Sequence, residues 1–217
     1  KRGKKPFPRW RYGAAGGAVM LAAGVALIGQ PTTEMRWHWL EPELQPKLEE
    51  RVYQIEPLEL LEVMQDTAIN LVLLDVRPEA DYNRFHLRDA RHLPLDAVGA
   101  SIDALQAEPA NTVYVTMSND EQVATDAWKI LAAESVPNIY ILSGGVNGWL
   151  DFFGDESVTV SATSSDSAAD ALRYTFTAAL GDRHMAADPN ADLYAGIEYA
   201  KKVQPVVVRG AKSGGCG

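Results

Sequence analysis

The sequence predicts an α/β fold with a mainly parallel central sheet covered by helices on both faces. One N-terminal transmembrane helix should precede it, and a helical and extended C-terminal extension should follow. Three observations lead there. Residues 12–29, YGAAGGAVMLAAGVALIG, carry no charge. Between residues 51 and 153, short apolar runs alternate with helix-like segments, the pattern of a parallel sheet. After Trp149 the chain turns to Ser, Thr and Ala and loses that alternation.

Residues 1–11 hold Lys1, Arg2, Lys4, Lys5, Arg9 and Arg11 and no acid, although the chain as a whole carries −9. That balance argues against a nucleic-acid partner. The uncharged run spans roughly 27 Å as a helix, enough for a hydrocarbon core. Trp10 and Tyr12 flank one end, Trp37 and Trp39 lie beyond the other, and His38 between them is expected at the interface. The basic flank places residues 1–11 in the cytoplasm, 12–29 in an inner, cytoplasmic-type membrane, and the rest on the extracytoplasmic side. Gly13 and Gly17 form a GxxxG, and Ala14, Ala18, Ala22 and Ala26 add a small-residue stripe. Such a face suits packing against other membrane helices, so integral membrane subunits and the bilayer are the expected partners.

Residues 30–50, with their prolines and charges, read as a juxtamembrane linker. The folded domain is expected over 51–153. Val52 to Ile55 reads as a strand, Pro57 to Met64 as a helix, and Leu71 to Leu74 as a central strand. Glu79 to Phe85 is a short helix, Ala90 to Leu95 extended, and Val98 to Leu105 helical. The organising stretch is Asn111 to Trp149. There Thr112 to Val115 reads as a strand, Ser118 or Asn119 as the cap of a helix through Leu131, and Ile139 to Leu142 as a strand closed by Gly144-Gly145. Strand, loop and helix N-terminus in that order form a cradle of backbone N–H groups. In the extension, 154–217, a helix is expected from Ser165 or Asp166 to Gly181, with Leu172, Phe176 and Leu180 on one stripe. A second short helix is expected over 192–202, and a Gly-rich tail ends in Cys216-Gly217.

Two blocks carry a resemblance. Leu74 to Leu95, LDVRPEADYNRFHLRDARHLPL, contains Asp75, Arg77, Tyr82 and His86, and Leu142 to Trp149, LSGGVNGW, contains Gly144, Gly145 and Trp149. Together they resemble the rhodanese-like (Cdc25-type) family. Asp75 and Arg77, two apart after a buried strand, can pair at the sheet's C-terminal end and fix the loop. Active members carry a persulfide-forming Cys at the end of the strand matching Thr112 to Val115, which this resemblance places on Val115 or Thr116. Neither residue can hold sulfane sulfur. The loop Val115-Thr116-Met117-Ser118-Asn119-Asp120-Glu121 carries two acids where active members tend to have Gly and Arg, which opposes anion binding. Phe85 and Asp89 stand at positions that are usually Gly. The resemblance thus implies a catalytically degenerate domain.

The expected function is that of a non-catalytic, membrane-anchored accessory subunit of a larger complex, respiratory or photosynthetic. One alternative is sulfur transfer or redox chemistry through Cys216, the single cysteine, or through a partner's thiol. Another is a small-ligand or anion sensor. No cofactor is expected, and the four His residues show no metal-ligand spacing.

Overall fold

The computed structural model describes residues 13–20, 31–155, 158–160 and 170–204. Residues 13–20 are helical with exposed side chains. Ala22 and Ala26 lie outside the described residues, as does Cys216. Among the described residues no helix is long and apolar enough to cross a membrane.

Five strands form one sheet: β1 (Gln54–Ile55), β2 (Asn70–Asp75), β3 (Arg91–His92), β4 (Thr112–Met117) and β5 (Ile139–Leu142). Their order is β1-β5-β4-β2-β3, and every pairing is parallel. β4 is central and buried along its whole length, so it reads as a continuous apolar run rather than an alternation.

The pleat sorts its side chains between two cores. Val113, Val115 and Met117 join Leu73, Leu60 and Trp149 on one face. Tyr114 joins Val72, Leu74, Trp128 and Leu131 on the other. The first face is covered by α2 (Pro57–Gln65) and α7 (Gly145–Phe153). The second is covered by α1 (Thr33–Glu49), α4 (Leu95–Val98), α5 (Ile102–Gln106) and α6 (Gln122–Ala133). The short α3 (Glu79–Arg84) links β2 to β3.

Residues 33–49 form a helix rather than a proline-bearing linker. Thr32 caps it by accepting the Met35 N–H, and Pro42 and Pro46 are exposed. Trp37, Leu44 and Leu48 fall on one face and pack on the second core, which outweighs the missing proline donors. Trp37 therefore packs against the domain, edge-on to Trp128 at 6.3 Å, and Tyr53 lies 4.6 Å from the same indole. Trp39 remains 63% exposed.

The helix expected to end at Gly181 is absent from described residues 170–181. Tyr174–Thr175, β7, instead pairs antiparallel with β6 (Thr159–Val160). Leu172, Phe176 and Leu180 recur every four residues, a spacing that fits an alternating strand as well as a helix; Leu172 and Phe176 reach the first core from extended chain. The helix expected over 192–202 is reduced to one 3₁₀ turn, Ala191–Tyr194.

The extension returns across α2 to the sheet edge. Glu59 Oε1 accepts the N–H groups of Lys202 and Val203 at 2.5 and 2.7 Å. Lys202 Nζ donates to the carbonyls of Gln54 and Arg51 at 2.7 and 2.9 Å.

Candidate functional site: the loop after the central strand

β4 ends at Met117, two residues later than the apolar run suggested. Val115 and Thr116 are thus strand-interior residues, both completely buried. Val115 belongs to the first core. Thr116 Oγ1 donates towards the carbonyls of Ala124 and Tyr140 at 3.1 and 3.2 Å. The residue at the strand's end, Met117, pairs in register with Asp75 and is also buried.

Asp75 follows Leu74 at the C-terminal end of β2, and Arg77 folds back on it. Arg77 Nε and Nη2 bind the Asp75 carboxylate at 2.9 and 2.6 Å, and both side chains are 0% exposed. The remaining donors are satisfied: Nη2 reaches the Phe85 carbonyl at 2.7 Å and Nη1 the Asn119 Oδ1 at 3.2 Å. A bidentate buried pair with every arm occupied is a structural clamp. It fixes α3 and the loop after β4 to the end of β2.

Tyr82 stacks between two imidazoles, 3.8 Å from His86 and 4.7 Å from His92. His86 Nδ1 donates to the Tyr82 carbonyl and His92 Nε2 to that of Arg77. Tyr82 donates its hydroxyl to the Ala90 carbonyl at 2.9 Å. Of the two positions that are usually Gly, Asp89 keeps a left-handed backbone, φ 60°, while Phe85 is extended and fully buried in the first core.

The loop 118–121 lies against the β5–α7 turn. The Ser118 and Asn119 carbonyls accept the N–H groups of Val146 and Asn147 at 2.8 and 2.9 Å. Gly144 and Gly145 both have positive φ, and a Cβ on Gly145 would overlap the carbonyls of Asp120 and Ser118. Close approach and handedness together require glycine here. The helix cap is Glu121, not Ser118 or Asn119, although Ser118 Oγ accepts the Ala124 N–H at 3.1 Å. Trp149 is buried and donates Nε1–H to the Ala186 carbonyl at 2.6 Å.

The two acids have separate partners. Arg51 holds Glu121 through Nη1 and Nη2 at 3.1 and 2.7 Å, and the Gly144 N–H joins them at 2.6 Å. Asp120 accepts the Gln122 N–H at 2.8 Å and the Asp170 N–H at 3.1 Å. In return the Asp120 N–H donates to Asp170 Oδ1 at 2.7 Å. Burial acts to raise the Asp120 carboxyl, but its backbone N–H bonds and the bond with Asp170 outweigh it, and the net shift is downward. Burial is also the main influence on Asp170, and together with the neighbouring Asp120 carboxyl it pushes that group up to about 6.

The extension continues over the loop. Asn119 Nδ2 donates to the Asp170 carbonyl and to Asp81 Oδ2, both at 2.9 Å. Asn147 Nδ2 donates to the Ala171 carbonyl at 2.9 Å, and its Oδ1 accepts the Arg173 N–H at 2.8 Å. The cleft beside the loop, about 590 Å³, is lined by Asp120, Glu121 and Asp126 against a single ammonium, Lys129.

Sequence reasoning missed Arg51, Asp81, Asn147 and Asp170. Asn147 lies within the closing block and could have been found there. Asp170 is 50 residues from its partner, and no local pattern marks it. Among the described residues no cluster of three or more His, Cys, Asp or Glu could hold a metal ion.

A parallel sheet wrapped on both faces, a buried Asp–Arg clamp and a strand–loop–helix cradle closed by a double-glycine turn define the class. The family model for the rhodanese-like domain matches residues 56–152, and that segment is a rhodanese-like domain. Solved structures similar to the chain include the rhodanese-like domain of an Anabaena protein, at 19% identity over 46% of this chain and 74% of that one, with a TM-score of 0.39. A Bacillus halodurans protein shares 18% identity over 51% of this chain and 80% of its own, with a TM-score of 0.42. A Lactobacillus plantarum protein shares 20% identity over 52% and 93%, with a TM-score of 0.41. No curated protein matches the chain.

Proposed function

We propose that this chain is a non-catalytic accessory subunit of a larger membrane protein complex, with its rhodanese-like domain as an extracytoplasmic docking module. The complex would be respiratory or photosynthetic in kind. The observation that carries this reading is the state of the loop. Its Asp120 N–H is answered by Asp170, Asn119 and Asn147 are engaged by the extension, and the strand ends in a buried Met117. A persulfide chemistry needs a thiolate facing free N–H donors. This sequence places no cysteine anywhere from Thr112 to Gln122.

Anchoring is supported by the uncharged run 12–29 and its Gly13/Gly17 face. α1 begins at Thr33, shortly after that run, and exposes Met35 and Trp39 one turn apart. Apolar and indole side chains at that distance from an anchor suit the headgroup zone.

The test is a thiosulfate:cyanide sulfurtransferase assay on the full chain in mild detergent, alongside purification from the native membrane. The expected result is no turnover above the uncatalysed rate, with a stoichiometric membrane partner that Gly17→Leu releases. Turnover that Cys216→Ser abolishes would instead establish the sulfur-transfer reading.

A further inference from the structure

The contact between Asp120 and Asp170 is a reciprocal one. Each residue donates its backbone N–H to the other's carboxylate, at 2.7 and 3.1 Å, which sets the two carboxyl groups beside each other. Two carboxylates in such contact repel when both are ionised and attract when they share one proton. We propose that residues 170–173 form a proton-controlled latch over the loop after β4, closed when Asp120 and Asp170 share a proton and released when both are ionised.

The proton belongs on Asp170. Asp120 accepts N–H groups from Gln122 and Asp170 and is further favoured in its ionised form by that of Glu121. Among the described residues Asp170 accepts the Asp120 N–H, and the neighbouring Ser118 acts to lower it. Nearby cations are committed elsewhere. Arg77 is held by Asp75, Arg84 by Asp81, Arg173 by Asp151 and Arg51 by Glu121. The groups that face Asp170 are therefore Asp120 and Ser118 from the loop and the Asn119 amide, behind which stands Asp81. Asn147 on α7 holds the next residues.

The direction follows from the shift. Asp170 is raised to about 6 in the closed state from an ordinary 3.8, so closure is favoured below that range and weakens as pH rises through 6. Asp120 is lowered, so its contribution fails only in stronger acid. Release frees the Asn119 and Asn147 amides and the Asp120 N–H for a partner's polypeptide backbone. This inference stands independently of the membrane role.

Amide hydrogen exchange on the full chain tests it, with β4 amides as internal reference and intrinsic rates corrected. Protection at Asp120 and Asp170 should fall roughly tenfold between pH 5 and 7.5, the full shift being discounted for a half-buried group. Asp170→Asn should hold protection constant, because an amide accepts and donates without titrating. It also tolerates the left-handed backbone at that position, φ 64°. Asp170→Ala should lower protection at both pH values. A pH-independent wild-type loop, or an Asp170→Asn variant that follows the wild-type pH profile, overturns the proposal.

Discussion

Arg77 and Asp75 are joined by two hydrogen bonds, at 2.9 and 2.6 Å, in a site that excludes water from both side chains. Removing one partner leaves an uncompensated buried charge, which costs about 3–5 kcal/mol. Arg77→Met should therefore destabilise the chain by that amount in urea unfolding. The double variant Asp75→Asn/Arg77→Met should recover part of the loss. A cycle showing simple additivity would mean that the pair is not coupled.

Gly145 supports the loop from below. Gly145→Ala forces a Cβ into the carbonyls of Ser118 and Asp120 and strains a backbone at φ 60°. A combined cost of about 2–4 kcal/mol is expected. The measurement is the thermal midpoint, accompanied by faster amide exchange at Ser118 to Glu121. An unchanged midpoint would show that the turn can rearrange freely.

α1 packs on the domain through Trp37, Leu44 and Leu48. Trp37→Ala loses the edge contact with Trp128 and the apolar burial on the second core. About 2 kcal/mol should be lost, since the indole is only partly buried. The exposed Met35→Ala should cost less than about 0.5 kcal/mol. Equal effects in the two variants would contradict the helix register.

The burial of the end of β4 can be read chemically. Met117→Cys places a thiol at the strand's end, in a position with no solvent exposure. Burial keeps such a thiol protonated. Its labelling by iodoacetamide at pH 8 should run at under about a hundredth of the rate in the unfolded chain. Labelling at the unfolded rate would mean that residue 117 is not seated in the core.

Asp89 offers a test of backbone strain. A non-glycine residue at φ 60° costs about 1 kcal/mol, less for aspartate. Asp89→Gly should be neutral or stabilising by up to about 1 kcal/mol, and Asp89→Val clearly destabilising. The urea midpoint decides between these outcomes.

The sheet was legible because its strands announce themselves. Leu71 to Leu74, Thr112 to Val115 and Ile139 to Leu142 are continuous apolar or β-branched runs that need cover on both faces. The end of β4 was misplaced because Thr116 interrupts the run, although its hydroxyl is satisfied inside the sheet. α1 was hidden by Pro42, Pro46 and its charges, whereas its formation depends on a groove beside Trp128 that only the folded domain supplies. Leu172 and Phe176 misled because a four-residue interval is common to both periodicities. The site's polar wiring was the least legible part. Asp75 and Arg77 are neighbours in sequence, but Arg51–Glu121 and Asp120–Asp170 join residues far apart, and nothing local favours those partners over others.

Lys202 has a consequence beyond tying down the extension. β1 is an outer strand, with the Tyr53 and Ile55 carbonyls turned to β5 and the Gln54 carbonyl left on the open side. The Lys202 ammonium occupies that carbonyl. An outer strand with free acceptors is a template on which a second chain can add a strand of its own. A positive charge seated there guards the molecule against that kind of self-association. Its protection comes from a residue nearly 150 positions away, so a chain shortened before Lys202 should leave that acceptor open to such pairing.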